Sequence, residues 1–347
     1  MMQGWQGTED LPEDALQAVE DRTREIGRYV FDHLDKQRPY FLPRRWWDDR
    51  IMDLAMKDEA VKVQLFRFVD VLPMLGSSDA VVGHLNEYFS DVRDQLPRSL
   101  GAALGITRRT SLTRGAVARA AKLSAMDLAR RFIAGTNTDE VVAAAQRERK
   151  LNRGFTLDIL GEAVISHVEA DRFFGAYVEL IETIAPQVNR WSENPHIDRG
   201  VLGPLPRMNL SIKLSALDCK FDAVDPEGTL ERVGAKLRKL LRIARDHQAF
   251  VNVDMESYDK KDLTLWIFKQ ILGEDEFCDV GDIGVVVQCY LREAGRDLMG
   301  LADWARQRGK PVWVRLVKGA YWDYETIHAA AQRWPVPVYQ QKWQSDA

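Results

Sequence analysis

Five polar residues in this chain, Glu162, Lys213, Asp254, Gln288 and Arg315, each follow a short apolar run. Charges scattered over a surface do not usually recur once per apolar segment at the same end. Lys213 can hold a carboxylate, and Asp254 can fix an amine or take a proton from it. Gln288 can hydrogen-bond the carbonyl or amide edge of a ring. Arg315 lies inside the run Val312 to Val317, where an unpaired buried charge would cost several kcal/mol. A guanidinium there calls for an anionic or carbonyl partner, and it could stabilise negative charge developing on a heterocycle. The turn Lys318-Gly319-Ala320 could bring backbone N–H groups and an ammonium close to a phosphate. The set suits binding of a charged small molecule together with a cofactor. The alternative is an inward ring of structural salt bridges.

The elements that carry these residues alternate. Phe155 to Leu160 reads as a strand, leading through Gly161 and Ala163 into a long helical segment to Ile184. Met208 to Leu214 is a second strand. Asp225-Pro226 then starts a helix to about His247, with an N-cap acid and proline at the first position. Strands at Phe250 to Met255, Gly284 to Tyr290 and Val312 to Val317 follow. They alternate with helices at Leu263 to Leu272, Arg296 to Arg308 and about Glu325 to Arg333. Pro337 to Lys342 would begin another strand. This β/α repeat of about 35 to 50 residues, sustained for about five and a half units, predicts parallel β-α-β packing. No G-x-G-x-x-G or Walker-type loop follows any strand, which favours a (β/α)8 TIM-like barrel over a doubly wound sheet. Asn209, Ser211 and Lys213 alternate with Leu210, Ile212 and Leu214, so the polar set would face the barrel interior.

Residues 1–150 instead read as helical, an arm and α-domain preceding a barrel domain over residues 151–347. Apolar residues recur at helical spacing from Ala15 to Leu34 and from Val61 to Leu75. Further helices are expected over Ser124 to Ile133 and from Thr138 through Arg149. Arg44, Arg45, Trp46 and Trp47 could suggest a polyanion site, but Asp48, Asp49 and Arg50 mix the signs, as on a solvated or interdomain face.

Composition bounds the function. The 347 residues are 46% apolar and carry a formal charge of −4, which argues against a dedicated nucleic-acid surface. Cys219, Cys278 and Cys289 show no C-x-x-C spacing, consistent with reduced thiols in a cytoplasmic compartment. No metal site is expected. The acidic N-terminal stretch lacks the features of a signal peptide, and no apolar run approaches the roughly 20 residues that span a bilayer.

Four stretches together resemble the proline dehydrogenase family: Ser211-Ile212-Lys213-Leu214-Ser215-Ala216-Leu217, Val253-Asp254-Met255-Glu256, Val286-Val287-Gln288-Cys289-Tyr290 and Val314-Arg315-Leu316-Val317-Lys318-Gly319-Ala320-Tyr321-Trp322-Asp323. Phe155 to Ala163 and Pro337 to Lys342 are similar to further strands of that family. The helical region resembles the arm and α-domain of bifunctional proline utilisation A proteins, without the ribbon-helix-helix segment of DNA-binding members. The resemblance implies a barrel that holds FAD and oxidises L-proline to Δ1-pyrroline-5-carboxylate. Hydride would pass from C5 to flavin N5, and electrons on to a quinone, with peripheral contact at the inner membrane during turnover. It places Lys213, Asp254, Arg315 and Tyr321 in catalysis, with Lys213, Asp254, Tyr321 and Glu162 around the substrate. It assigns the cofactor lining to Met255, Val286, Gln288, Arg315, Val317, Lys318, Gly319, Ala320 and Trp322. Tyr339, Gln340, Gln341, Lys342 and Ser345 would continue that lining from a sixth strand.

The resemblance also implies continuation beyond Ala347. Family barrels have two more strands and a final helix, so about six strands are expected here. A C-terminal aldehyde dehydrogenase domain in the same longer protein would follow, and a homo-oligomer is expected. Two other functions compete. One is an aldolase-like barrel with Lys213 as a Schiff-base lysine; the other is a non-catalytic assembly module built on the helical arm.

Overall fold

The structure, a computed structural model, describes residues 13–36, 59–71, 75, 77–90, 92, 119, 133–161, 163–201 and 203–346. The basic-aromatic cluster at 44–50, most of the expected 124–133 helix and Glu162 lie outside the described residues. The chain divides into two compact units, Met1–Ala129 and Arg130–Ala347.

In the first unit, helices α1 (Glu13–Lys36), α2 (Glu59–Val71) and α3 (Ser78–Ser90) are described. Val61 and Phe68 of α2 bury against Val81, Val82 and Phe89 of α3, with the i, i+7 spacing of one helix face on each.

The second unit starts with α4 (Thr138–Lys150), whose Asn137 side chain accepts from Glu140 N. Sequence pattern grouped this helix with the N-terminal region, but Val141 and Val142 pack on the core of the second unit. Next come α5 (His167–Val188) and a small hairpin, β1 (Arg199–Gly200) and β2 (Gly203–Pro204). Then β3 (Met208–Ile212), α6 (Pro226–Asp246), β4 (Ala249–Val253) and α7 (Tyr258–Leu272) alternate with β5 (Ile283–Gln288), α8 (Ala294–Arg308), β6 (Trp313–Val317), α9 (Trp322–Gln332) and α10 (Lys342–Asp346). The sheet is parallel in the order β3-β4-β5-β6, so strands that follow one another in the chain are neighbours, as β-α-β units allow.

Three helix boundaries follow local chemistry. Asp225 caps α6 by accepting from Gly228 N, and Pro226 occupies the first turn. Ser166 caps α5, so that helix begins after a coil and not directly at Ala163. Gly309 takes φ +73° after α8, the left-handed stop that glycine supplies without strain. On β3, Met208, Leu210 and Ile212 are fully buried against the helices, each stabilising by about 1.5–3 kcal/mol. They meet Tyr177, Ile181, Ile184 and Val188 of α5 within one core.

Two strand expectations change. Phe155 to Leu160 narrows to a single parallel bridge, Leu157 to Leu210, with Leu157 N bonded to Asn209 O and Ser211 N to Leu157 O. That bridge adds a fifth position to the sheet, short of the expected six. Pro337 to Lys342 is not a sixth parallel strand. Pro335 and Pro337 contribute no N–H, and the segment instead makes an antiparallel bridge from Val338 to Leu291, in the loop after β5. The outer edge of β6 stays open among the described residues, with Trp313 and Leu316 exposed.

Arg149, Asp198 and Arg207 tie α4 to the hairpin and to the entrance of β3. Arg149 reaches Asp198 at 2.5 Å and Arg207 reaches it at 3.2 Å. The Arg149 hydrogen bond, chiefly, holds the buried Asp198 carboxyl down at about 2. A carboxyl depressed in the folded state stabilises above its unfolded value and loses that contribution as pH falls through the folded one. Urea midpoints should therefore drop by the equivalent of about 2 kcal/mol between pH 4 and pH 2, and Asp198→Asn should flatten that limb. An unchanged acid limb in the variant would remove Asp198 from the acid sensitivity.

Candidate functional site

Register places four of the expected site residues in one layer. Ile212 pairs with Val253 and Val253 with Val285, so Lys213, Asp254 and Val286 stand one step further along; Arg315 pairs directly with Val286. Adjacent strands lie about 4.8 Å apart, so β3 and β6 would be separated by about 14 Å in a flat sheet. Yet Arg315 Nη2 donates to Ser211 Oγ at 2.6 Å and to Asp254 Oδ1 at 3.0 Å. One arginine side chain cannot span the flat distance; the sheet curls, and the polar row faces its concave side.

Asp254 is the hub. Its Oδ1 also accepts from Ser211 Oγ at 3.1 Å and from Asn252 Nδ2 at 3.0 Å. Its Oδ2 lies 3.7 Å from Lys213 Nζ. Lys213 donates to both carboxylate oxygens of Asp158, at 3.0 and 3.1 Å, and its side chain is only 10% exposed. The Tyr177 hydroxyl, at the buried face of α5, accepts from Lys213 N at 3.3 Å and fixes the end of β3. Two cations thus alternate with two carboxylates. Arg315 is 41% exposed, so its placement in an apolar run costs less than full burial would.

Asp158 and Asn252 were not marked by sequence pattern. Asp158 sits in the irregular segment beside β3, where no strand period distinguishes it. Asn252 reads as one polar residue inside a strand. A signal for Asn252 did exist in Gly284, its neighbour on β5: a Cβ there would lie 2.9 Å from Asn252 Oδ1 and 3.1 Å from Trp313 O. The missing side chain makes room for the amide that holds Asp254.

Gln288, two residues beyond that layer at the end of β5, is buried, and its Oε1 has no hydrogen-bond partner. Met255 and Val286 belong to the apolar core, and Val317 packs on it. Lys318, Ala320 and Trp322 are exposed. Gly319 has φ +121°, and a Cβ there would meet the Tyr290 ring at 2.5 Å, so both conformation and contact require glycine. Burial raises the Tyr290 hydroxyl to about 12. Trp322 Nε1 donates to Tyr339 O at 2.8 Å, which joins α9 to the segment after it. Gln340 and Gln341 are exposed and Ser345 is half-buried on α10, and none of these three is bonded to the Asp254 cluster; Lys342 is the first residue of that helix.

A cleft of about 580 Å³ opens among the segments that follow β3 and β4, lined by Ser215, Asp218, Cys219, Glu256, Lys260 and Tyr321, together with Gly161 and Ala163. This volume suits a small ligand. Glu256 is held by Ser215 Oγ at 2.7 Å and Lys260 Nζ at 3.2 Å. The buried Glu325 caps α7 by accepting from Tyr258 N at 2.7 Å, and burial raises its carboxyl.

Fold and site define a parallel β/α-barrel protein with a cluster of charged residues towards the carboxyl ends of its strands. The chain belongs to the proline dehydrogenase family, whose model matches residues 141–347; the model of the proline utilization A N-terminal domain matches residues 20–132. It is 28% identical over 253 residues to the bifunctional protein PutA of Escherichia coli (strain K12), covering 72% of this chain and 18% of that protein. It is 29% identical over 219 residues to proline dehydrogenase 1 of Bacillus subtilis (strain 168), covering 63% of this chain and 59% of that one. Among solved structures, proline utilization A from Bdellovibrio bacteriovorus, inactivated by N-propargylglycine, superposes with a TM-score of 0.81 at 37% identity. That match covers 94% of this chain and 32% of the solved chain. The chain therefore spans under a fifth of its bifunctional relative from Escherichia coli. Among the described residues no helix is long and apolar enough to cross a membrane.

Replacing Gly284 with Ala should push Asn252 and the Trp313 backbone aside and cost about 1–3 kcal/mol in urea unfolding. A variant as stable as the parent would show that Gly284 does not set the packing under Asp254.

Proposed function

We propose that this chain carries the site at which L-proline is oxidised to Δ1-pyrroline-5-carboxylate with FAD as cofactor, within a longer bifunctional protein of proline catabolism. The observation that supports this most is the layer of Lys213, Asp254 and Arg315 on a chain of this family. Proline is a zwitterion with one carboxylate and one secondary ammonium, and the layer offers a complement to each. Lys213 meets the carboxylate, exchanging part of its contact with Asp158 for the ligand. Asp254 presents Oδ2 to the amine, since Oδ1 is taken up by Ser211, Asn252 and Arg315. Tyr321, on the cleft wall, borders the ring of the substrate. Glu162, between the cleft-lining Gly161 and Ala163, is a further substrate contact in this proposal.

The residues present fit a flavin. The buried, unpartnered Oε1 of Gln288 is an acceptor that the N–H edge of a heterocycle would satisfy. The half-buried Gly319 turn follows directly on the exposed Lys318, a combination suited to phosphate. Gln288, Arg315, Lys318, Gly319, Ala320 and Trp322 would hold the group, with Tyr339, Gln340, Gln341, Lys342 and Ser345 extending the contact surface. FAD, when bound, supplies the hydride acceptor; the protein supplies orientation and electrostatics. Arg315 contributes positive charge where negative charge develops. A following aldehyde dehydrogenase domain belongs to the same proposal, supported by the bifunctional relatives, and so do a quinone as final acceptor and homo-oligomerisation.

The Schiff-base alternative fits the geometry less well. A lysine nucleophile is activated by apolar burial or a neighbouring cation. Lys213 instead faces two carboxylates.

The purified protein should be yellow with FAD, and L-proline should bleach the flavin band. Arg315→Met should lose flavin or slow its reduction by roughly 10²-fold, the cost of removing one preorganised charge-stabilising donor. Unchanged flavin content and turnover in that variant would sink the assignment of Arg315. A folded protein that stays colourless would count against the flavin site as a whole.

A further inference from the structure

Away from the Asp254 cluster, three donor atoms of different chemistry converge. His167 is the first residue of α5, and Asp218 and Cys219 follow the 3-10 turn Leu214–Leu217 after β3. His167 Nδ1 lies 3.5 Å from Cys219 Sγ and 3.8 Å from Asp218 Oδ1, and all three donors fall within 4.8 Å of one another. Tetrahedral zinc, with bonds of about 2.0–2.3 Å, sets its nitrogen and sulfur ligands about 3.5 Å apart and its nitrogen and oxygen ligands slightly closer. The triangle is therefore already near the size that a metal requires.

The pairing pattern also distinguishes a metal site from a nucleophile relay. In a Cys–His–acid relay the acid holds one ring nitrogen while the thiol faces the other. Here the thiol and the carboxylate converge on the same nitrogen, Nδ1, as ligands around one ion do. Asp218 is oriented as a ligand would be. It is 3% exposed, and its other oxygen, Oδ2, accepts from Arg232 Nε at 2.7 Å. That contact leaves Oδ1 on the His167 side, in the manner of the supporting shell that aims metal-bound carboxylates.

We propose that His167, Asp218 and Cys219 form a site for a borderline divalent cation, zinc above all. A thiolate, an imidazole and one carboxylate select zinc or cobalt(II) over magnesium or calcium, which take all-oxygen shells. Asp218 and Cys219 line the 580 Å³ cleft, so the fourth position opens towards it and is filled by water or a small anion. The ion ties the segment after β3, which begins at Lys213, to the first turn of α5. It is independent of the flavin and proline assignments. Sequence spacing gave no sign of the set, because His167 and Cys219 are 52 residues apart.

Cobalt(II) added to the chelator-stripped, folded chain should produce one equivalent of a thiolate-to-cobalt charge-transfer band, displaced by zinc. Cys219→Ser should abolish the band, and Cys278→Ser, at an exposed thiol, should leave it intact. His167→Ala, at an exposed position where the fold is not at stake, should weaken zinc binding by about tenfold or more in calorimetric titration. With far-UV circular dichroism matched across variants, a wild-type chain without the band overturns the proposal. So does a band that survives Cys219→Ser, or zinc affinity unchanged in His167→Ala.

Discussion

Asp254 gathers the site. A single carboxylate oxygen accepts from a hydroxyl, an amide and a guanidinium that come from three different strands, while the other oxygen faces an ammonium. Two cations brought to the concave face of a small sheet would repel one another if no anion lay between them. Asp254 and Asp158 alternate with Lys213 and Arg315, and this compensation lets both cations stand within reach of one ligand. The pairs are partly solvated, so their value to stability is modest; what they fix is geometry. Each partner constrains the rotamer of the next.

That geometry depends on the register of a parallel sheet. A slip of one residue in β6 would turn Arg315 away from the concave face and carry Leu316 inward. The ladder from Gly284–Gln288 to Trp313–Val317 holds β6 in register, and apolar burial fixes the strands it pairs with: Val251, Val253, Ile283 and Val285 are buried against the helices, and Leu210 and Ile212 do the same on β3. The inner row then takes small or polar residues where space is short. Gly284 leaves room for Asn252, and Gly319 leaves room for the Tyr290 ring. Packing and chemistry are coupled through these absences of side chain as much as through the charged groups.

Much of this was legible in the residue order. The β/α alternation, the Asp225-Pro226 and Gly309 helix boundaries, and the inward set of Ser211 and Lys213 all follow from periodicity and capping chemistry. Local pattern failed where non-local pairing decides. Phe155 to Leu160 has the composition of a strand but forms a single bridge, since only Leu157 meets β3 in register. Pro337 to Lys342 looks extended, yet Pro337 cannot donate to a ladder and the segment bonds to the loop after β5 instead. Asp158 and Asn252 carried no distinguishing spacing.

The sequence by itself determined the fold class, the family, the strand-end positions of Lys213, Asp254 and Gln288 and the place of Arg315 within β6, because alternation and local caps are encoded within a few residues of where they act. Only the tertiary structure decided which of these residues touch. It joined Arg315 to Ser211 across a curled sheet, recruited Asp158 and Asn252, left Gln288 with an unanswered acceptor, and set His167 beside Cys219. Those contacts depend on sheet curvature and register. Both are properties of the packed whole, set by how buried side chains on different elements fill a common core.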